Sequence, residues 1–259
     1  MKVHVSLACW PGLRHETAAA RLHEPPVEPL FGTLCTSHVQ LVPQNLGRLD
    51  EDLVDTLRVA HPGTHFRLHA NVQVLDKRRI ADLSGFDRHV DWFAQAAHIS
   101  QHLGAQVYTA HAGRRAESDL MGLFDNARRC ADLFDCPVGI EGHYPTPGDT
   151  WLVSGWFEYR ALFESGVPYA LDLSHLNIVA HHSARLECSL VAEMLACERC
   201  LEVHVSTNDG MGDQHAVCDA PPWWLPLLRH VHRDAVVFSE GNHLATAKLS
   251  ATPAADAGI

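Results

Sequence analysis

The feature that most constrains this chain is an alternation. Short apolar, β-branched runs fall at 3–8, 35–42, 65–72, 106–111, 137–141, 169–172, 201–206 and 235–240. Stretches of helical periodicity follow most of them, at 49–59, 86–103, 117–134, 155–166, 185–197 and 222–232. Strand then helix, repeated, implies parallel strands, because a parallel neighbour needs a crossover and the helix supplies it. Eight such strands in 259 residues fit a single (β/α)8 TIM barrel spanning 1–259 better than an open doubly wound sheet. No GxGxxG or Walker-type loop follows a strand, so the usual nucleotide-binding signature is missing. The proline-rich stretch 25–29 reads as a loop, and 251–259 as a frayed tail.

The ends of the expected strands carry the chemistry. The third closes on Leu68-His69-Ala70-Asn71, the fourth on His111, the fifth on Glu141 and the sixth on Asp172. The seventh carries His204, and the eighth ends on Glu240. In a parallel barrel these ends meet at one mouth. Imidazoles and carboxylates converging there without Lys or Arg would be desolvated at high cost unless cations were bound. Two spacings extend the set. Asp172 and His175 reach the same mouth if the chain turns into a helix, and Asp213 and His215 point the same way from an extended loop. Such N/O donors suit Zn, Mn or Fe, and the expected strand ends offer no cysteine for a thiolate-rich site.

The formal net charge is −11, and the largest basic run is Lys77-Arg78-Arg79. That field disfavours nucleic acid and anionic membranes as partners. No apolar run approaches the 18 residues of a membrane span, and residues 1–7 lack the pattern of a signal peptide. The expectation is a cytoplasmic protein with eight reduced cysteines. The lone CxxC at Cys197 and Cys200 reads as plain thiols.

The ordered set His69, His111, Glu141, Asp172-x-x-His175, His204, Asp213-x-His215 and Glu240 resembles the xylose isomerase-like barrel superfamily. It is most similar to the trinuclear-metal members, endonuclease IV and the multinuclear iron oxidases of peptide natural-product biosynthesis, such as the methanobactin enzyme. The resemblance implies a first ion on His69, His111 and Glu141. Glu141 would bridge to a second on Asp172, His204 and Glu240, and His175, Asp213 and His215 would hold a third. Two or three ions follow, with iron favoured and zinc or manganese as alternatives. The leading expectation is a multinuclear non-haem iron oxidase or oxygenase acting on a small molecule or a peptide cysteine, the peptide presented by a partner protein. The alternatives are a sugar or sugar-phosphate isomerase or epimerase using one divalent metal, and an endonuclease IV-like phosphodiesterase. Glu141 and Glu240 are the candidate catalytic groups in the proton-transfer reading.

Seven further residues are candidate substrate contacts. Arg114 and Arg115 follow His111 and could grip a carboxylate or phosphate, or simply begin a solvated helix. Asn71 and Asn242 flank metal-ligand positions. His143 lies just beyond Glu141, Trp223 lies on the loop after the Asp213/His215 pair, and His38 faces the mouth if the second strand is in phase.

Overall fold

A computed structural model describes residues 1–245. Eight strands form its sheet: β1 (Val3–Ser6), β2 (Cys35–Leu41), β3 (His65–Leu68), β4 (Tyr108–His111), β5 (Val138–Glu141), β6 (Tyr169–Asp172), β7 (Cys200–Val205) and β8 (Val236–Ser239). Every adjacent pair is parallel, in the order β3-β2-β1-β8-β7-β6-β5-β4. The remaining seam, β3 to β4, closes through the His69–Thr109 bridge and the Ala70 N–H to Thr109 C=O bond at 2.8 Å. The expected barrel is therefore present.

Helices α1 (His15–Ala20), α2 (Glu51–Ala60), α3 (Val90–Leu103), α4 (Leu120–Phe134), α5 (Trp156–Glu164), α6 (Leu173–Ser183) and α7 (Cys188–Ala196) lie outside it. Their ends follow from local chemistry. Asp50 caps α2 through Leu53 N–H at 3.1 Å, and Asp119 caps α4 through Gly122 N–H at 2.8 Å. Gly104, in the left-handed region at φ 67°, ends α3. The strands turn apolar side chains outward onto these helices. Tyr108 stacks on Phe134 of α4 at 4.2 Å, and Tyr169 meets Phe163 of α5 edge-on.

The helix after Asp172, raised only as a condition for His175 to reach the mouth, runs over Leu173–Ser183. Two expectations differ. The expected helix at 222–232 is only a 3-10 turn, Leu225–His230, because Pro226 removes an N–H that an α-helix needs. The loop at 25–29 instead enters a two-stranded hairpin, Val27–Glu28 with Gly32–Thr33. The tail 251–259 lies outside the described residues. Among these residues no helix is long and apolar enough to cross a membrane.

Candidate metal centre

The barrel lumen is polar, and that polarity builds the site. Glu202 on β7 is fully buried. It accepts hydrogen bonds from Arg67 (2.9 Å), Gln40 (3.0 Å) and the Thr109 hydroxyl (2.9 Å). His204 Nε2 lies 3.1 Å from the same carboxylate and 3.0 Å from Gln40 Nε2, and its Nδ1 faces the mouth. Thr109 also accepts from His69 Nδ1 at 3.0 Å, which leaves His69 Nε2 toward Glu141 at 3.2 Å. His175 Nδ1 donates to the Gly142 carbonyl at 2.9 Å, and His111 Nδ1 faces Asp82 at 3.5 Å. Four imidazoles thus have one nitrogen tied to an oxygen acceptor and the other turned toward the cluster carboxylates. That arrangement fixes ligating tautomers at metal sites.

All nine candidate ligands belong to one connected network at the C-terminal strand ends. Glu141 meets His69 and His204 at 3.2 Å, His175 at 3.6 Å and His111 at 3.9 Å. His204 Nδ1 reaches Glu240 at 3.8 Å, and Glu240 reaches His215 at 3.5 Å. Asp213 joins His215 at 2.8 Å and His175 at 3.3 Å. Asp172 is the N-cap of α6, its Oδ1 accepting Ser174 and His175 N–H at 2.7 and 3.0 Å. This turn carries His175 back over the mouth, with Nε2 at 3.6 Å from Asp172 Oδ2. Paired N–H to C=O bonds between Thr207 and Ala216, at 2.9 and 3.0 Å, pinch the loop that presents Asp213 and His215.

Three tight groups emerge: His69, Glu141 and His204; Glu141, Asp172 and His175; Asp172, His204 and Glu240, with donor atoms in each within 4.8 Å of one another. Only the third coincides with the partition implied by the resemblance. His111 belongs to none, because Asp82 draws its ring aside.

The electrostatics fit cations. Burial would raise the Glu141 carboxyl, yet the imidazoles around it, His69 and His204 foremost, hold it well below the usual range. Burial pushes Glu240 up to about 7, and burial drives His69 down to about 3. Glu141 Oε2, His204 Nδ1, His215 Nδ1 and Glu240 Oε1 are buried and make no well-aligned hydrogen bond, facing one another only at ion-pair distances. Each orphan costs roughly 1–3 kcal/mol, and a metal ion would take these lone pairs. In the metal-free site the carboxylates are met by imidazoles whose pKa they raise, His175, His204 and His215 among them. Once ions displace those protons, the charge left on the four ligand carboxylates is one that two divalent ions would balance. The residues therefore fit a metal cluster.

One candidate substrate contact, His38, lies away from the mouth, and four others have structural partners. His38 packs on His4 and His65, centroids 5.0 and 5.1 Å apart. It lines a cavity of about 810 Å³ with Arg58, Thr64 and Val236, at the opposite end of the barrel. Asn71 is structural: its amide donates to Asp82 at 2.8 Å, and its carbonyl accepts Ala81 N–H. Asn242 Oδ1 caps the backbone N–H groups of Leu244 and Ala245. The Arg115 fork is taken by Glu158 at 2.5 and 2.9 Å. Trp223 donates to Asn177 and lines a separate cavity beside α6. Arg114 and His143 remain at the mouth. His143 is buried, stacked on Trp151 at 4.5 Å and 5.1 Å from the His111 ring, and the exposed Arg114 lies 5.3 Å over Trp151. Glu202, Arg67, Gln40, Thr109 and Asp82 were missed. The available signal was phase: Arg67, Thr109 and Glu202 each stand two residues before a strand-end ligand and so share its face.

No protein-family model matches the sequence, and no curated protein matches it. Solved structures do match. A D-tagatose 3-epimerase-like protein aligns at TM-score 0.66 and 14% identity, over 96% of each chain. The family 2 AP endonuclease from Brucella melitensis aligns at 0.64 and 15%, over 98% of this chain and 99% of that one. The fold is the (β/α)8 barrel that these proteins share. A third match, the IOLI protein with a zinc atom bound, aligns at 0.59 and 11%, over 92% of this chain and 88% of that one. At these identities the likeness is one of fold.

Proposed function

We propose that this chain is a metal-dependent enzyme of small polar substrates, isomerising or epimerising a sugar or sugar phosphate by proton transfer. One observation carries the reading. Glu141 and Glu240 come from β5 and β8, one on either side of the strands bearing Asp172 and His204, and both approach His204 Nδ1, at 3.2 and 3.8 Å. A substrate carbon held over Asp172 and His204 would have a carboxylate on each side, one to remove a proton and one to return it. An ion held by Glu141, Asp172, His204 and Glu240 would supply Lewis acidity toward the substrate carbonyl or alkoxide oxygen. Glu202 orients His204, Thr109 orients His69, and the Trp151–His143 shelf closes one side of the mouth. The epimerase-like match accords with this reading.

A second reading has its own support. His69, His111, His175, Asp213 and His215 are more donors than one ion needs, and a multinuclear site suits phosphoester hydrolysis. The endonuclease match accords with it, while the acidic chain favours a small phosphoester over DNA. Oxygen-dependent iron chemistry on a peptide thiol gains no support from these matches, and nothing in the donor set selects iron over zinc or manganese.

The test is to incubate Mn- or Zn-loaded protein with ketoses, aldoses and their phosphates in D2O, and separately with bis(p-nitrophenyl) phosphate. Deuterium incorporation at carbon that disappears in Glu240→Gln supports proton transfer. Phosphodiester cleavage without exchange selects the second reading. Neither activity, with O2 uptake on a thiol peptide, would overturn both.

A further inference from the structure

A second group of metal-type donors stands apart from the nine ligands. Cys9 ends the 3-10 turn Leu7–Cys9 that follows β1, Glu28 sits in the hairpin strand Val27–Glu28, and His243 follows β8. A thiol sulfur, a carboxylate oxygen and an imidazole nitrogen from these three residues all lie within 4.8 Å of one another. Cys9 is fully buried, Glu28 is 2% exposed, and His243 is partly buried.

The hairpin is built the wrong way round for a purely structural arm. Its two strands pair only with each other, and Val27 is 69% exposed while the adjacent Glu28 is turned inward. An arm held by apolar contact would bury the valine and expose the glutamate, because an unpaired buried carboxylate is costly. Here Glu28 Oε1 accepts from Ser239 Oγ at 2.5 Å and faces His243 Nε2 at 3.1 Å, and the Cys9 thiol makes a long 3.5 Å bond to the Ser239 carbonyl.

We propose that Cys9, Glu28 and His243 form a separate binding site for a zinc-type divalent ion. One sulfur, one imidazole nitrogen and one carboxylate oxygen make a donor set typical of zinc. The Cys9 proton leaves to solvent as the thiolate binds the metal. The ion ties the hairpin to the end of β8, next to Glu240, and does not depend on the reaction assigned to the mouth.

Cobalt(II) tests this directly, because none of the nine mouth ligands is a thiolate. Metal-stripped full-length protein titrated anaerobically with Co(II) is expected to develop a thiolate-to-cobalt charge-transfer band saturating at one ion per chain. The band persists in Glu141→Gln, disappears in Cys9→Ala and weakens at least tenfold in apparent affinity in Glu28→Gln. If Cys9→Ala folds poorly, Cys9→Ser and zinc protection of Cys9 from alkylation in the wild-type chain give the same information. Absence of the band, or a band surviving loss of Cys9, means that the triad is only a hydrogen-bonded latch and overturns the proposal.

Discussion

Thr109→Val removes one hydroxyl and keeps the shape of a β-branched strand residue. In the native lumen that hydroxyl donates to Glu202 at 2.9 Å and accepts from His69 Nδ1 at 3.0 Å. Glu202 keeps Arg67, Gln40 and His204, so the lumen holds together. His69 loses its only fixed acceptor and with it the preference for the tautomer that directs Nε2 at Glu141. Loss of such a supporting partner lowers metal affinity about 10–100-fold, or roughly 1.4–2.7 kcal/mol. The buried His69 N–H left without an acceptor adds an instability of about 1–3 kcal/mol. Competition against a chromophoric chelator measures the affinity, and thermal unfolding of metal-free protein measures the stability. Affinity within twofold of wild type would refute the claim that Thr109 sets the His69 tautomer.

Other outcomes follow from the same geometry. Burial opposes the charged form of His215, but Asp213 and Glu240 raise its pKa to about 9 from the ordinary 6.5. Its contribution to metal-free stability is therefore fully present below pH 6.5 and lost as pH rises through about 9. Metal binding, which needs neutral imidazole, releases protons and strengthens over that same rise, as pH-stat titration will show. Gly142→Ala would place a Cβ 2.5 Å from the Tyr159 ring, whose hydroxyl donates to the His143 carbonyl. It should cost about 1–3 kcal/mol in chemical denaturation and lower metal content by shifting Glu141. Arg115→Met strands the largely buried Glu158, so thermal stability falls while metal content stays unchanged, confirming a structural pair.

The strands were legible because apolar β-branched runs alternate with helical stretches, and the ligands were legible because barrel topology makes strand ends converge. Helix α6 was not. Leu173, Ser174, His175, Leu176, Ile178, Val179 and Ala180 are all buried, so no 3.6-residue contrast marks it, and its histidine serves the mouth. The polar lumen was hidden for the opposite reason. Gln40, Arg67 and Glu202 alternate with apolar neighbours as a solvent-facing strand would, yet they point inward while the apolar positions face the helices. Phase with His69 and His204, rather than polarity, distinguishes the two cases. His38 was misplaced because a strand period gives the face but not the depth along the barrel axis. The Cys9 thiol was overlooked because it lies one residue past the expected first strand and meets Glu28 and His243 only when the hairpin and the end of β8 come together.

The most direct test of the metal centre is the metal content of Cys9→Ala protein, which isolates the mouth from the hairpin site. Quantified by plasma mass spectrometry after saturation with zinc or manganese and desalting, it should hold two or three ions per chain, and Glu141→Gln in that background should hold fewer. No ion, or a content indifferent to Glu141, would contradict the metal centre on which the account rests, and a single ion would leave only the one-ion proton-transfer reading standing.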